Sequence, residues 1–169
     1  MSVDVQRVRR ADAADLIAAN AGSVAYHAPW IKGFTDQAGF DAWFARGVIG
    51  PNISLIARER PSGALVGVVN LSEIVLGAFR SAYFSYWGYA GFGRRSLMTQ
   101  ALREAVRFAF DEVGLHRVEA NIQPDNVRSI ALVRRAGFTQ EGFSPNYLFI
   151  DGAWRDHERW ALLAGAQSS

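Results

Sequence analysis

The chain has 169 residues and no cysteine, which excludes disulfides, thiolate metal sites and a cysteine nucleophile. Half of its residues are hydrophobic and a fifth charged, the balance of an ordinary globule expected to bury one core as a single domain over residues 1–169. The formal charge is +2, from seventeen arginines and one lysine (Lys32) with acidic residues interspersed, so no nucleic-acid partner is expected.

No apolar run reaches membrane-spanning length, and the first five residues lack the basic and apolar segments of a signal peptide. A cytoplasmic protein with no membrane partner is the expectation. Residues 3–10 alternate as a first strand. Asp12 is placed to cap the helix that follows, which carries Leu16, Ile17, Asn20 and Val24 and fades at His27. Residues 27–30 read as a loop, and Thr35 opens a helix bearing Phe40, Trp43 and Phe44 that Gly50 and Pro51 end. Ile53, Leu55 and Ala57 alternate as a strand, Pro61 to Gly63 turn the chain, and residues 65–71 return as the hairpin partner. A connection through Gly77 leads into the aromatic strand 81–87, and residues 89–93 are loop-like.

From Ser96 the residues Leu97, Met98, Ala101, Leu102, Ala105, Val106, Ala109, Phe110 and Val113 recur at the spacing of one buried helix face, which Gly114 closes. Residues 115–123 alternate, with Val118, Ala120 and Ile122 on one side and Arg117, Glu119 and Asn121 on the other, so they form a strand. Pro124, Asp125 and Asn126 stop it and start a second helix ending at Gly137. Residues 146–150 and 153–163 are strands joined by Asp151-Gly152, a two-residue hairpin signal. His27, His116 and His157 are scattered, and no metal is expected.

The run 81–138 resembles the core of the GNAT acetyltransferases. The likeness lies in its tyrosine-rich strand, its glycine-containing turn, the helix opening at Leu97-Met98, and the segments 115–120, 124–129 and 134–138. The tail, residues 141–157, is similar to the RimJ/RimL type, which acetylates protein N-terminal amines, and is closer to RimJ. The resemblance implies an α/β GNAT fold: a mixed, mostly antiparallel sheet of six or seven strands with about four helices and splayed central strands. It also implies acetyl-CoA as donor and direct transfer to a primary amine, with a protein N-terminal α-amine of the ribosomal-protein type as the expected acceptor, in a monomer or homodimer. The alternatives are a small-molecule amine acetyltransferase and a non-catalytic binding module with a degraded phosphate loop.

Acyl transfer from a thioester to an amine needs a phosphate pocket, a donor for the developing oxyanion, a route for the ammonium proton and a proton for the thiolate. Helix N-terminal amides and the helix dipole suit a pyrophosphate, so residues Gly91, Phe92, Gly93, Arg94, Arg95 and Ser96 are the expected cradle. The family signature has glycine at its fourth position and glycine or alanine at its sixth. Aligned without gaps, these fall on Arg94 and Ser96, which crowd the phosphates yet present amides if their dihedrals are helical. Exposed arginines there are opposed by the helix dipole by up to about 1 kcal/mol each, a penalty an anion would reverse.

The resemblance further implies an oxyanion donor on the splayed strand at Tyr86, Trp87 and Gly88. It places Asn126 on the pantetheine arm and Ser129 near the sulfur as proton donor. Tyr26, Trp30 and Phe34 are expected to shape the acceptor groove. The position of the RimL-type glutamate is occupied by Leu148, so Glu73 is the expected base, with Glu141 as second choice.

Overall fold

The computed structural model describes residues 2–92 and 96–165. Seven strands form one sheet in the order β1-β2-β3-β4-β5-β7-β6. Their ranges are β1 Ser2–Arg7, β2 Ile53–Arg60, β3 Leu65–Val75, β4 Ser81–Gly88, β5 Arg117–Ile122, β6 Thr139–Ile150 and β7 Ala153–Leu163. All neighbours are antiparallel except β4 and β5. Five helices accompany them: α1 Ala13–Ala21, α2 Val24–His27, α3 Gln37–Phe44, α4 Leu97–Asp111 and α5 Val127–Ala136.

The alternation of each strand decides which layer its side chains join. Leu55, Val69, Leu71, Ala82, Phe84, Val118, Ala120 and Ile122 face α4 and α5, whose Leu102, Ala105, Val106, Leu132 and Val133 close the larger core. Ile56 and Val68 face the opposite way, onto Leu16 of α1 and Phe40 and Phe44 of α3. Central strands buried on both faces read as continuous apolar runs, as in the first five residues of β3, Leu65 to Val69. Gly67 lets β3, β4 and α4 approach closely, because a Cβ there would lie 2.5 Å from both the Met98 sulfur and the Trp87 carbonyl oxygen.

Several local expectations change. Asp12 does not cap α1; it sits in a short 3₁₀ turn, accepts from the Arg9 amide at 2.8 Å and pairs with Arg58 at 3.0 Å. The first helix is not continuous to His27 but breaks at Gly22 and restarts as the single turn α2. The cap of α3 is Asp36, not Thr35, its carboxylate accepting from Gly39 N–H at 2.8 Å. The strand before the last hairpin is longer than its alternation showed, because β6 starts at Thr139 and carries two irregularities against β7. Asp151 and Gly152 both take positive φ, 50° and 76°, the conformation a two-residue hairpin turn requires.

Gly67→Ala is expected to lower stability by about 1–3 kcal/mol through overpacking at the β3–β4–α4 junction. Urea unfolding followed by circular dichroism checks this. An unchanged midpoint would mean that the junction yields freely.

Candidate active site

The site begins as a backbone defect. β4 and β5 pair in parallel only at Ser81, Ala82 and Tyr83 against Arg117, Val118 and Glu119, although β4 runs on to Gly88 and β5 to Ile122. The Tyr89 amide is spent on Val66 of β3 at 3.0 Å. Alternation therefore turns the peptide groups of Tyr86 and Gly88 away from β3, toward the gap. Two cavities meet at this gap, one of about 120 Å³ toward α4 and α5 and one of about 230 Å³ toward β5, β6 and β7. Both are lined by Trp30, Ile31, Tyr86, Asn126 and Ser129.

α2 and the loop after it wall the gap from one side. The His27 Nε2–H donates to the Gly88 carbonyl at 2.8 Å, which satisfies an acceptor the splay leaves without a strand partner. A buried polar chain fixes the neighbouring strand end. Trp87 Nε1–H donates to the Tyr89 hydroxyl at 3.2 Å, Tyr89 donates to Asn20 Oδ1 at 3.1 Å, and Asn20 Nδ2 donates to the Phe34 carbonyl at 2.9 Å. Burial pushes the Tyr89 phenol up to about 12, so it stays a donor.

α5 supplies the other side. Asn126 caps this helix through Oδ1, which accepts from the Ser129 amide at 3.2 Å. That bond leaves its Nδ2 group as a donor at the cavity junction. Tyr86 and Ser129 share a hydrogen bond of 2.7 Å between their hydroxyls, joining β4 to α5. Burial raises the Tyr86 pKa well above the usual phenol value, and the bond to Ser129 only partly offsets this. The pair is a proton donor at neutral pH and not a base.

The α4–α5 cavity carries two arginines. Arg128 stacks 4.4 Å over the Tyr26 ring, and Arg135 donates to Thr99 Oγ1 at 3.4 Å. By contrast, no charged side chain is among the described residues lining the β5–β7 cavity.

Of the residues chosen from sequence, Tyr26, Trp30, Tyr86, Trp87, Gly88, Asn126 and Ser129 meet around these cavities. Phe34 does not. Its ring packs 5.1 Å from Trp43 and 5.7 Å from Phe40, inside the α1–α3 core. Glu73 also lies elsewhere, exposed on an irregularity of β3 opposite the start of β4, beside Tyr83. Glu141 is bound by the Arg117 guanidinium through both oxygens, which holds its carboxyl below the usual range. That makes it a poorer base than a free glutamate.

Gly91 takes a positive φ of 99°, and Phe92 packs against the α1–α3 core; Gly93, Arg94 and Arg95 lie outside the described residues. Ser96 does not have helical dihedrals. It takes φ 54° and ψ 7°, so at this position glycine would be the unstrained residue. His157, Met98, Arg128 and Arg135 also line the cavities, and sequence reasoning passed over them as site residues. For the arginines the signal was present in the i, i+4, i+7 spacing of Arg128, Leu132 and Arg135, one face of the helix that Asn126 caps.

The sheet is thus parted between β4 and β5, with Met98 from the first turn of α4 and the capped Asn-x-x-Ser start of α5 lining the gap. The chain belongs to the Acetyltransferase (GNAT) domain family, which it matches over residues 3–139. It is 41% identical over 98 residues to the [Ribosomal protein uS5]-alanine N-acetyltransferase of Escherichia coli, covering 58% of this chain and 50% of that protein. It is 37% identical over 99 residues to the probable N-acetyltransferase YjcK of Bacillus subtilis, covering 59% of this chain and 55% of that protein. The chain thus spans about half the length of the curated relatives it matches. Mycobacterium smegmatis RimJ, solved in complex with CoA-disulfide, superimposes with a TM-score of 0.85 at 28% identity, over 99% of this chain and 84% of that one. The assignment to the RimJ/RimL type agrees with these relatives.

Ser96→Gly is expected to stabilise the protein by about 0.5–1 kcal/mol, as the left-handed turn no longer carries a Cβ. No gain in the urea midpoint would show the turn to be unstrained.

The Glu141 carboxyl is depressed when folded, so its stabilisation is complete above the unfolded pKa of about 4.3 and is lost as pH falls through the folded value. Glu141→Gln should therefore narrow the difference in thermal midpoint between pH 7 and pH 3. A parallel pair of melting curves would contradict it.

Proposed function

We propose that this chain is an acetyl-CoA-dependent N-acetyltransferase acting on the α-amine of protein N-termini. The observation that carries the reading is the unequal charge of the two cavities that meet at Tyr86 and Ser129. Arg128 and Arg135 suit the cavity beside α4 and α5 to the polyanionic donor. The cavity beside β7 offers no carboxylate to hold a cation, so it favours an amine that sheds its proton easily. An α-amine titrates near 7.7–8.0 and a lysine near 10.4, a difference of more than a hundredfold in neutral fraction at pH 7. A polyamine or lysine acceptor would call for acidic walls.

In this reading the CoA arm lies in the gap, where its amides replace the missing β4–β5 ladder. Asn126 Nδ2 holds that arm. A backbone N–H of Tyr86 or Gly88 stabilises the oxyanion that forms as the amine adds to the thioester carbonyl. The Tyr86–Ser129 hydroxyl pair then returns a proton to the departing sulfur, a role for which a phenol kept protonated by burial is suited. The E. coli relative is named for an alanine of ribosomal protein uS5, and a short N-terminal peptide fits the same chemistry.

The test is acetyl transfer from acetyl-CoA at pH 7.5 to a peptide beginning with alanine or serine, beside spermidine and Nα-blocked lysine. The peptide is expected to react at least about tenfold faster in kcat/KM, part of the hundredfold difference in neutral fraction. Preference for spermidine or lysine would overturn the acceptor assignment. Binding of acetyl-CoA with no turnover of any amine would leave a ligand-binding module.

A further inference from the structure

We infer that His157 is the general base of the reaction, taking the proton from the acceptor amine through Nε2. The inference rests on the acetyltransfer reading above and adds to it the residue that sequence reasoning sought at Glu73.

The first argument is elimination within one cavity. The β5–β7 cavity is lined by Trp30, Ile31, Phe84, Ala120, Ile122, Leu148 and other uncharged groups. Its only titratable side chains among the described residues are Tyr86 and His157. Tyr86 is held protonated by burial, as shown above. The His157 imidazole is then the remaining group among those residues able to take up a proton.

The second argument is the tautomer. The ring is only 2% exposed, and its Nδ1–H donates to the Arg155 carbonyl at 2.9 Å. That bond puts the ring proton on Nδ1, so Nε2 carries the lone pair, and it accepts from no described residue. A base must present an unprotonated nitrogen toward its substrate, and here a backbone carbonyl sets which nitrogen that is.

The third argument is the backbone around it. Opposite His157, β6 shifts register between Ser144 and Leu148, with Asn146 at φ 48° and its amide donating to Asp156 Oδ1 at 2.8 Å. Such bulges aim side chains at sites. In the same wall Asn121 Oδ1 is buried without a partner, a second acceptor for the amine N–H groups.

The groups that face the imidazole are few. Tyr147 of β6 lies with its ring centroid 6.1 Å away, and Tyr86 lies across the cavity on β4. β5 and α5 present Asn121, Asn126 and Ser129, all uncharged. The charges nearest in sequence are Arg155, Asp156, Glu158 and Arg159 of β7 itself. In the step, Nε2 takes one proton from the ammonium and the freed lone pair forms the C–N bond. As the C–S bond breaks, the sulfur takes a proton from the Tyr86–Ser129 pair, the new amide nitrogen gives its second proton back to that pair, and the imidazolium releases its proton to solvent, the one proton the reaction sets free.

The experiment measures kcat and KM against pH for wild type, His157→Gln and Glu73→Gln, using acetyl-CoA and the alanine-initial peptide. His157→Gln should lower kcat by about a hundredfold or more, leave KM for acetyl-CoA within about twofold, and abolish the acidic limb of log kcat. Glu73→Gln should keep the wild-type profile. His157→Ala should regain part of its rate with added imidazole, an effect a purely structural role cannot produce; His157→Asn replaces the glutamine variant if that one does not fold. A folded variant that keeps the acidic limb, or loss of the limb in Glu73→Gln, overturns the inference while the acetyltransfer reading stands. A wild type that turns over no amine overturns both.

Discussion

Two parallel strands that pair for three residues and then separate create a demand that the rest of this protein is arranged to meet. Beyond Tyr83 and Glu119 the facing edges of β4 and β5 hold backbone groups with no ladder to join. An unpaired buried peptide group is costly, so a gap of this kind persists only if other groups occupy it. His27 meets the Gly88 carbonyl from the α2 side, and Tyr86 reaches Ser129 from the α5 side. What remains open is a slot with oriented backbone donors.

The slot divides charge as well as space. Arginines on α5 stand on one side of the Tyr86–Ser129 bond, while the opposite cavity is neutral and closed by β7. The hydroxyl pair sits at the boundary, where donor and acceptor chemistry must meet. This position explains why two hydroxyls are kept together at the junction, beside Ile31 and the Asn126 amide.

Left-handed backbone outside glycine falls at few places: Glu73, Arg80, Ser96, Asn146 and Asp151 among the described residues. Asp151 is explained by its hairpin turn. Ser96 opens α4 beside the slot, and Asn146 shapes the bulge beside His157. Strained residues of this kind persist where the surroundings over-determine them, and two of the five adjoin the proposed chemistry.

The sequence by itself determined the elements whose signals are local. The heptad-like spacing from Leu97 to Ala109, the alternation of 117–122, the capping residue Asn126, the stop at Gly137 and the Asp151-Gly152 turn could all be read from the chain, because period and dihedral preference act over a few residues. Asn126, Ser129 and Tyr86 could be read for the same reason, joined by the likeness of their spacing to a family. The tertiary structure alone decided that Phe34 packs inward, that Glu73 stands away from the gap, and that Glu141 is tied to Arg117. It also brought His157 into one cavity with Tyr86, seventy-one positions earlier, by placing β7 beside β5. Strand order and bulges set such meetings, and neither leaves a periodic trace in the residues that they bring together.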